Sequence, residues 1–160
     1  MPEISIIIPL RNDESAHHDL VTFLINQMDP DLEIIPSKGD SRADALNKGA
    51  RKAKGKFLWF IHADTKINSV HITKLKASLK DSPNKIHYFD LEFENSAPFY
   101  MRLNAWGANM RSKVFGFPWG DQALAISTYN LDKIGYFDKE IEYGEDHALI
   151  IKARMMGIEL

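Results

Sequence analysis

Apolar residues along this chain gather in short runs separated by longer stretches of helical period, and that alternation predicts its elements. Ile4 to Ile8 is a brief β-branched run stopped by Pro9. A strand half exposed to water would alternate, so a continuous run predicts a central parallel strand buried on both faces. Ser15 can cap a helix carrying Leu20, Phe23, Leu24 and Met28 at helical spacing, ended by Asp29-Pro30-Asp31. Leu32 to Ile35 reads as a second strand. Ser41 is a plausible N-cap for a helix over residues 42–54, with Asp44 in its first turn, Ala43, Leu46, Ala50 and Ala53 on one face, and Gly55 as its stop. Phe57 to Ile61 is another continuous run, and it delivers His62-Ala63-Asp64-Thr65 at its C-terminal end.

Residues 69–80 read as a helix and Asp81 to Asn84 as a turn. From Ile86 to Phe93, polar Tyr88, Asp90 and Glu92 alternate with Phe89, Leu91 and Phe93, the period of a half-exposed strand. Pro98 can open a helix at its first position, with Phe99, Leu103, Trp106, Met110 and Val114 at helical spacing. The segment 115–121 is an aromatic, glycine-containing loop, Ala123 to Ser127 a short strand, 130–135 a helical turn or two, and Glu145 to Met156 a last helix ended by Gly157. Strands alternating with helices predict an α/β domain around a mostly parallel sheet, whose ligands bind beyond the strand C-termini. One domain over 1–160 is expected. Ile158 to Leu160 reads as the start of another strand, which predicts a natural domain that runs further.

The chain has 160 residues, of which 44% are hydrophobic and 26% charged, the balance of an ordinary globular protein. Twenty Lys and Arg against 22 Asp and Glu leave a formal charge of −2, so there is no global footprint for nucleic acid. With no Cys, a thiolate nucleophile, a disulfide frame and a Cys-ligated metal are excluded, and any metal must use Asp, Glu or His. The opening segment lacks a basic region and a long apolar run, so neither a signal peptide nor a transmembrane segment is expected. The chain reads as cytoplasmic, with a peripheral place at the inner membrane face as an option.

Three clusters could carry chemistry. Asp64 at a strand end could hold Mg2+ or Mn2+ against a diphosphate, or simply start a turn. Glu145-Asp146 after Gly144 could supply a general base, or serve the dipole of a helix start. Lys48, Arg51, Lys52, Lys54 and Lys56 form a solvated helix face. Arg42 differs, because at a helix N-terminus it can join backbone amides in meeting a phosphate. His17 and His18 are adjacent, not four apart, so they make no helical metal pair. Phe115, Phe117 and Trp119 fit loop packing or a sugar platform. The glycine patterns of P-loop and dinucleotide enzymes and the nucleophile elbow of α/β-hydrolases are absent.

Taken in order, these pieces resemble the glycosyltransferase family 2 domain in the GT-A fold, especially its short bacterial subgroup. Ser5 to Glu14 looks like the family's opening strand and Pro-x-x-Asn-x-Glu turn. Ser41 to Ala50 with Gly55 is similar to its Arg-x-x-x-x-Asn-x-Gly-Ala helix. Phe60 to Thr65 matches the subgroup's form of the Asp-x-Asp motif, and Gly120-Asp121-Gln122-Ala123 and Gly144-Glu145-Asp146 match its later acidic signatures.

The resemblance implies an inverting transfer from a nucleotide-diphosphate sugar donor to an acceptor hydroxyl, on a glycan, a lipid-linked or another acceptor, assisted by Mn2+ or Mg2+. It would place Pro9, Asn12 and Glu14 around the nucleotide, Arg42 at the nucleotide or diphosphate, and Asp64 on the metal. Asp146 would be the base with Glu145 beside it, and Trp119 and Asp121 would lie on the acceptor side. The sequence departs from the family after the second strand, where Pro36-Ser37-Lys38-Gly39-Asp40 replaces an acidic Asp-Gly-Ser turn and a further helix and strand, leaving Asp40 as the substitute base contact. The segment that usually follows the acidic helix is also missing. A degenerate member that binds nucleotide or a partner without turnover is the alternative. A nucleotidyltransferase is disfavoured, because its glycine-rich opening loop is absent.

Overall fold

The computed structural model describes residues 1–10, 17–93 and 97–160. The Ser15 cap and the candidate site residues Asn12 and Glu14 lie outside the described residues. Four strands form one sheet in the order β2-β1-β3-β4, where β1 is Ile4–Leu10, β2 Leu32–Lys38, β3 Phe57–Phe60 and β4 Ala125–Ser127. β1 pairs in parallel with β2 and β3, Ile7 standing opposite Ile35 and Phe60, while β4 runs antiparallel to β3. The sheet is therefore mixed, with β1 central as its isoleucine-rich run predicts.

The helices are α1 (His17–Asn26), α2 (Arg42–Lys52), α3 (Ser69–Asp81), α4 (Phe99–Phe115), α5 (Thr128–Ile134) and α6 (Glu145–Met155). Side chains alternate across a strand, so β1 and β3 feed two cores. On one face Ile7, Leu58 and Phe60 meet Leu46 and Ala50 of α2 and Leu149, Ile150 and Ala153 of α6. On the other, Ile4, Ile6, Ile8 and Trp59 meet Leu20 and Leu24 of α1 and Ile72, Leu75 and Leu79 of α3. Each fully buried aliphatic or aromatic side chain contributes about 1.5–3 kcal/mol. Polar Ser5 is tolerated between them because its hydroxyl donates to Glu33 Oε2 (2.6 Å) and accepts the Gly55 N–H (2.9 Å).

Five expectations need correction. Met28 lies beyond α1 at φ 49° and is exposed, so the apolar face of α1 ends at Leu24. Gly55 does not close α2; Ala53 is the C-cap, and Gly55 is small because a Cβ there would stand 2.7 Å from the Ser5 amide nitrogen. The alternating segment 86–93 forms a single antiparallel bridge, His87 to Ala125, instead of a strand. Its partner β4 has three residues, and Ala123 turns out of the ladder at φ 50°. Most consequentially, the apolar stripe of α4 faces solvent, and the side buried is the small one, Ala105, Ala108 and Ser112. Ser112 donates to Gln122 Oε1 (2.6 Å) and Asn109 bonds both backbone groups of Leu91 (2.7 and 2.9 Å), contacts that only a closely seated helix can make. At the C-terminus, Ile158 is buried and the Glu159 carbonyl accepts from Ile86 N–H (2.8 Å), without forming a strand.

Candidate functional site

β1 and β3 end side by side, and their C-terminal ends open two adjoining clefts. The first, about 600 Å³, is bounded by Pro9, Asp40, Arg42, His62, Asp64 and Tyr143. The second, about 820 Å³, runs from His62 and Asp64 past Trp59 and Phe89 to Asp121. His62 and Asp64 belong to both, so the end of β3 is the divide. This is the location that parallel strands with helical crossovers favour for a ligand.

Arg42 reaches the divide because α2 starts there. Ser41 caps the helix by accepting the Asp44 N–H (3.1 Å), as its residue type predicts. Asp44 then serves a second purpose. Its carboxylate takes Lys48 (2.6 Å), Lys139 and the Asp40 N–H (3.1 Å), tying the turn before α2 to the loop before α6. Lys139 above all, with Lys48, holds the Asp44 carboxyl far below the usual carboxylate range. Its folded pKa thus lies under the unfolded 3.8, so the stabilisation is complete above about pH 5 and drains away as pH falls. Acid unfolding should therefore be shallower in Asp44→Asn than in the wild type between about pH 4 and pH 2; parallel curves would remove this cluster from the stability of the site.

The Arg42 guanidinium pairs with Glu145, stands 3.8 Å from Asp146 Oδ2, and lies 2.6 Å from His62 Nε2. A guanidinium only donates, so His62 receives it on an unprotonated Nε2 and carries its proton on Nδ1. Burial, then the Arg42 charge, lowers the His62 pKa, which keeps the imidazole neutral. Gly144 at φ 86° turns the chain into α6, and only glycine adopts that conformation without strain. Both acids follow in the first turn, where the helix dipole favours them. Glu145 is 5% exposed and occupied by Arg42; Asp146 is 14% exposed and accepts the backbone N–H of Gly120 and of His147 (2.7 Å). Gly120 is required for this approach, since a Cβ there would come within 2.5 Å of Arg42 Nη2.

Asp121 follows in the 3-10 turn Gly120–Gln122 and opens into the second cleft. Desolvation raises its pKa, opposed first by His62 and reinforced by Asp146. Trp119 lines neither cleft. Its ring carries Arg111, 4.1 Å above the centroid, and stands 6.3 Å from the His147 ring. The fold thus brings Arg42, His62, Asp64, Asp121, Glu145 and Asp146 to one place, with Pro9 and Asp40 on the wall of the first cleft. The sequence marks the positions of His62 and Gly120, but their contacts, His62 as acceptor for Arg42 and Gly120 as a bare backbone donor to Asp146, are visible only in the folded chain.

Among the described residues no three His, Asp or Glu side chains gather as a metal cage. Asp64 is an exposed carboxylate on the wall of both clefts. That donor set does not suit a metal enclosed by protein, but it does suit a hard divalent ion that takes one carboxylate and fills its shell with water and phosphate oxygens.

No family model and no curated protein matches this chain. Solved structures do. The mannosyltransferase PcManGT from Pyrobaculum calidifontis, in complex with GDP-Man and Mn2+, superposes with a TM-score of 0.70 at 16% identity, over 99% of this chain and 53% of that one. S. aureus TarS 1-349 in complex with UDP-GlcNAc gives 0.67 at 17%, over 94% and 53%, and the longer TarS structure 0.66 at 15%, over 94% and 33%. At such identities the likeness is one of fold. This chain has the helix-flanked α/β fold of these glycosyltransferase structures, and it spans a third to about half of their length.

Proposed function

We propose that this chain is the donor-binding and catalytic part of an inverting glycosyltransferase of family 2 type, moving a sugar from a nucleotide-diphosphate sugar to an acceptor hydroxyl. The observation that carries the reading is the placement of Arg42 and Asp64 on the wall of the first cleft, with Asp146 beside the Arg42 guanidinium at 3.8 Å although it lines neither cleft. The first cleft suits the nucleotide diphosphate, with Pro9 and Asp40 on its wall and Arg42 as the cation. The second suits the acceptor, with Asp121 at its edge. The structures of like fold carry UDP-GlcNAc and GDP-Man, which supports a nucleotide sugar as donor.

A divalent ion, Mn2+ or Mg2+, held by Asp64 would supply positive charge against the departing diphosphate. The remaining work falls to this chain's own side chains. Arg42 gives a planar, permanently charged fork for phosphate oxygens, and Glu145 and His62 hold that fork in place. Asp146 takes the proton of the acceptor hydroxyl as the new bond forms. Asp121 is a second reading for that base, favoured by its opening into the larger cleft and by its raised pKa, which brings a carboxylate nearer the range where a base works at neutral pH.

The test is a thermal melt with UDP or GDP, with and without Mn2+. A ligand at a hundredfold excess over its Kd adds about 2.7 kcal/mol, roughly a 5–10 °C rise for a chain of this size. In Asp64→Ala the Mn2+-dependent part of the rise should vanish while the ligand-free melt is unchanged, because Asp64 is exposed and unburdened by core contacts. An undiminished Mn2+-dependent rise in that variant removes Asp64 from the site. A rise without sugar transfer to any hydroxyl acceptor turns the reading to a binding member without turnover.

A further inference from the structure

α4 has its apolar side chains on the wrong side for a core. Phe99, Leu103, Trp106, Met110 and Val114 are 78%, 54%, 62%, 42% and 61% exposed. At about 100° per residue they occupy a band roughly 80° wide. The band lies opposite the buried Ala105, Ala108 and Ser112. A continuous stripe of five large apolar side chains along a helix of 17 residues is more than scattered surface hydrophobicity, and it marks a surface that binds something.

The charges decide what. α4 contains Arg102, Arg111 and Lys113 and no acidic residue. Arg111 is turned inward onto Trp119 and the Phe117 carbonyl (3.0 Å), whereas Arg102 and Lys113 are exposed on one flank of the stripe. Lys113 meets Asp90 at 2.6 Å with both side chains more than half exposed, an ion pair that solvent weakens and an anion can displace. Two copies of α4 packed stripe to stripe would bring Arg102 of each copy to the seam, and α4 itself carries no acid to meet it. A plane of anionic headgroups over an apolar interior satisfies both halves of the pattern, because an interfacial helix sinks its aromatic and aliphatic face and keeps Lys and Arg at the phosphates.

We propose that α4 docks this protein on an anionic lipid surface, lying in the plane of the bilayer with Trp106 near the middle of the inserted face and Arg102 and Lys113 at the headgroup phosphates. Met101, on the inward side of the same helix, lines the larger cleft. α4 is thus a wall shared by that cleft and the lipid, and on the transferase reading this places the acceptor side at the membrane and selects an acceptor carried by a lipid. The docking itself does not depend on that reading.

Co-sedimentation with vesicles, without nucleotide, tests the docking alone. Wild type should bind equimolar phosphatidylcholine and phosphatidylglycerol at least ~tenfold more tightly than phosphatidylcholine alone. Leu103→Gln with Trp106→Gln should lower binding to the anionic vesicles at least ~tenfold with an unchanged melting temperature, since neither side chain is in the core. Arg102→Glu, which leaves the stripe intact, should also weaken binding and should flatten its dependence on salt. Absence of vesicle binding, or equal binding by the wild type and the double variant, overturns the proposal. So does a wild-type dimer that the double variant converts to monomer, which would assign the stripe to a second copy of the chain. Failure of nucleotide binding in the melt, with vesicle binding intact, would count against the transferase reading and leave the docking standing.

Discussion

Asp146→Asn should lower sugar transfer by about 10²–10⁴ while the donor still binds. An acceptor hydroxyl is a poor nucleophile at neutral pH, and a carboxamide of the same size cannot take its proton. The carboxamide oxygen can still accept the Gly120 N–H, so that loop should keep its place, while the bond from the His147 N–H to the second carboxylate oxygen is given up. Single-turnover transfer at saturating donor and acceptor is the measurement, because it separates the chemical step from binding. Asp121→Asn provides the comparison. If it loses the rate and Asp146→Asn does not, the base role passes to the residue that opens into the larger cleft. Glu145→Gln should affect binding more than the chemical step, because that carboxylate is buried and paired with the Arg42 guanidinium, whose position it fixes.

Arg42→Ala has two expected consequences that a double variant separates. Removing the guanidinium takes away the cation proposed for the diphosphate and leaves Glu145, 5% exposed, with an uncompensated charge. A buried polar group deprived of its partner costs about 1–3 kcal/mol. Arg42 itself is 31% exposed, so solvent reaching the vacated space holds the loss toward the lower end of that range. In Arg42→Ala with Glu145→Gln the orphaned charge is gone, and the melting temperature should recover part of the loss. Affinity for UDP or GDP should not recover, because the phosphate partner is still missing. Recovery of both would mean that Arg42 serves only the fold. Loss of neither in the single variant would return it to the solvated surface of α2.

The two buried strands were legible because burial on both faces favours dense apolar runs over alternation, and Ile4–Ile8, stopped by Pro9, and Phe57–Ile61 are too short for buried helices. The α2 start was legible for a different reason: Ser41 and Asp44 act within one turn of backbone, where residue type and spacing carry all the information. α4 shows the limit of such reasoning. Periodicity reveals that Phe99, Leu103, Trp106, Met110 and Val114 share a face, but not whether that face meets a core or the outside. The burial of Ala105, Ala108 and Ser112 depends on Gln122 and Leu91, which approach from distant parts of the chain. Gly55 misled in the same way. Its smallness answers Ser5 across 50 residues and not the end of its own helix. The acids at the site were visible as residue types, yet adjacent helical residues point about 100° apart, and only the folded chain shows that Glu145 faces Arg42.

The pairing of Arg42 with Glu145 spans 103 residues. At a synthesis rate of about 5–20 residues per second, roughly 5–20 seconds pass between the emergence of one partner and the other. During that interval β1, β2, β3 and α2 can associate, since their contacts lie within the first 60 residues, but Arg42 and His62 have no acidic helix to meet and the face around Ile7 and Leu58 lacks the cover of Leu149, Ile150 and Ala153. The candidate site therefore comes into being only once α6 has been made and has packed. A nascent chain holds an apolar sheet face open to solvent until α6 arrives, and it is in that window, more than in the finished fold, that the protein is most exposed to aggregation and proteolysis.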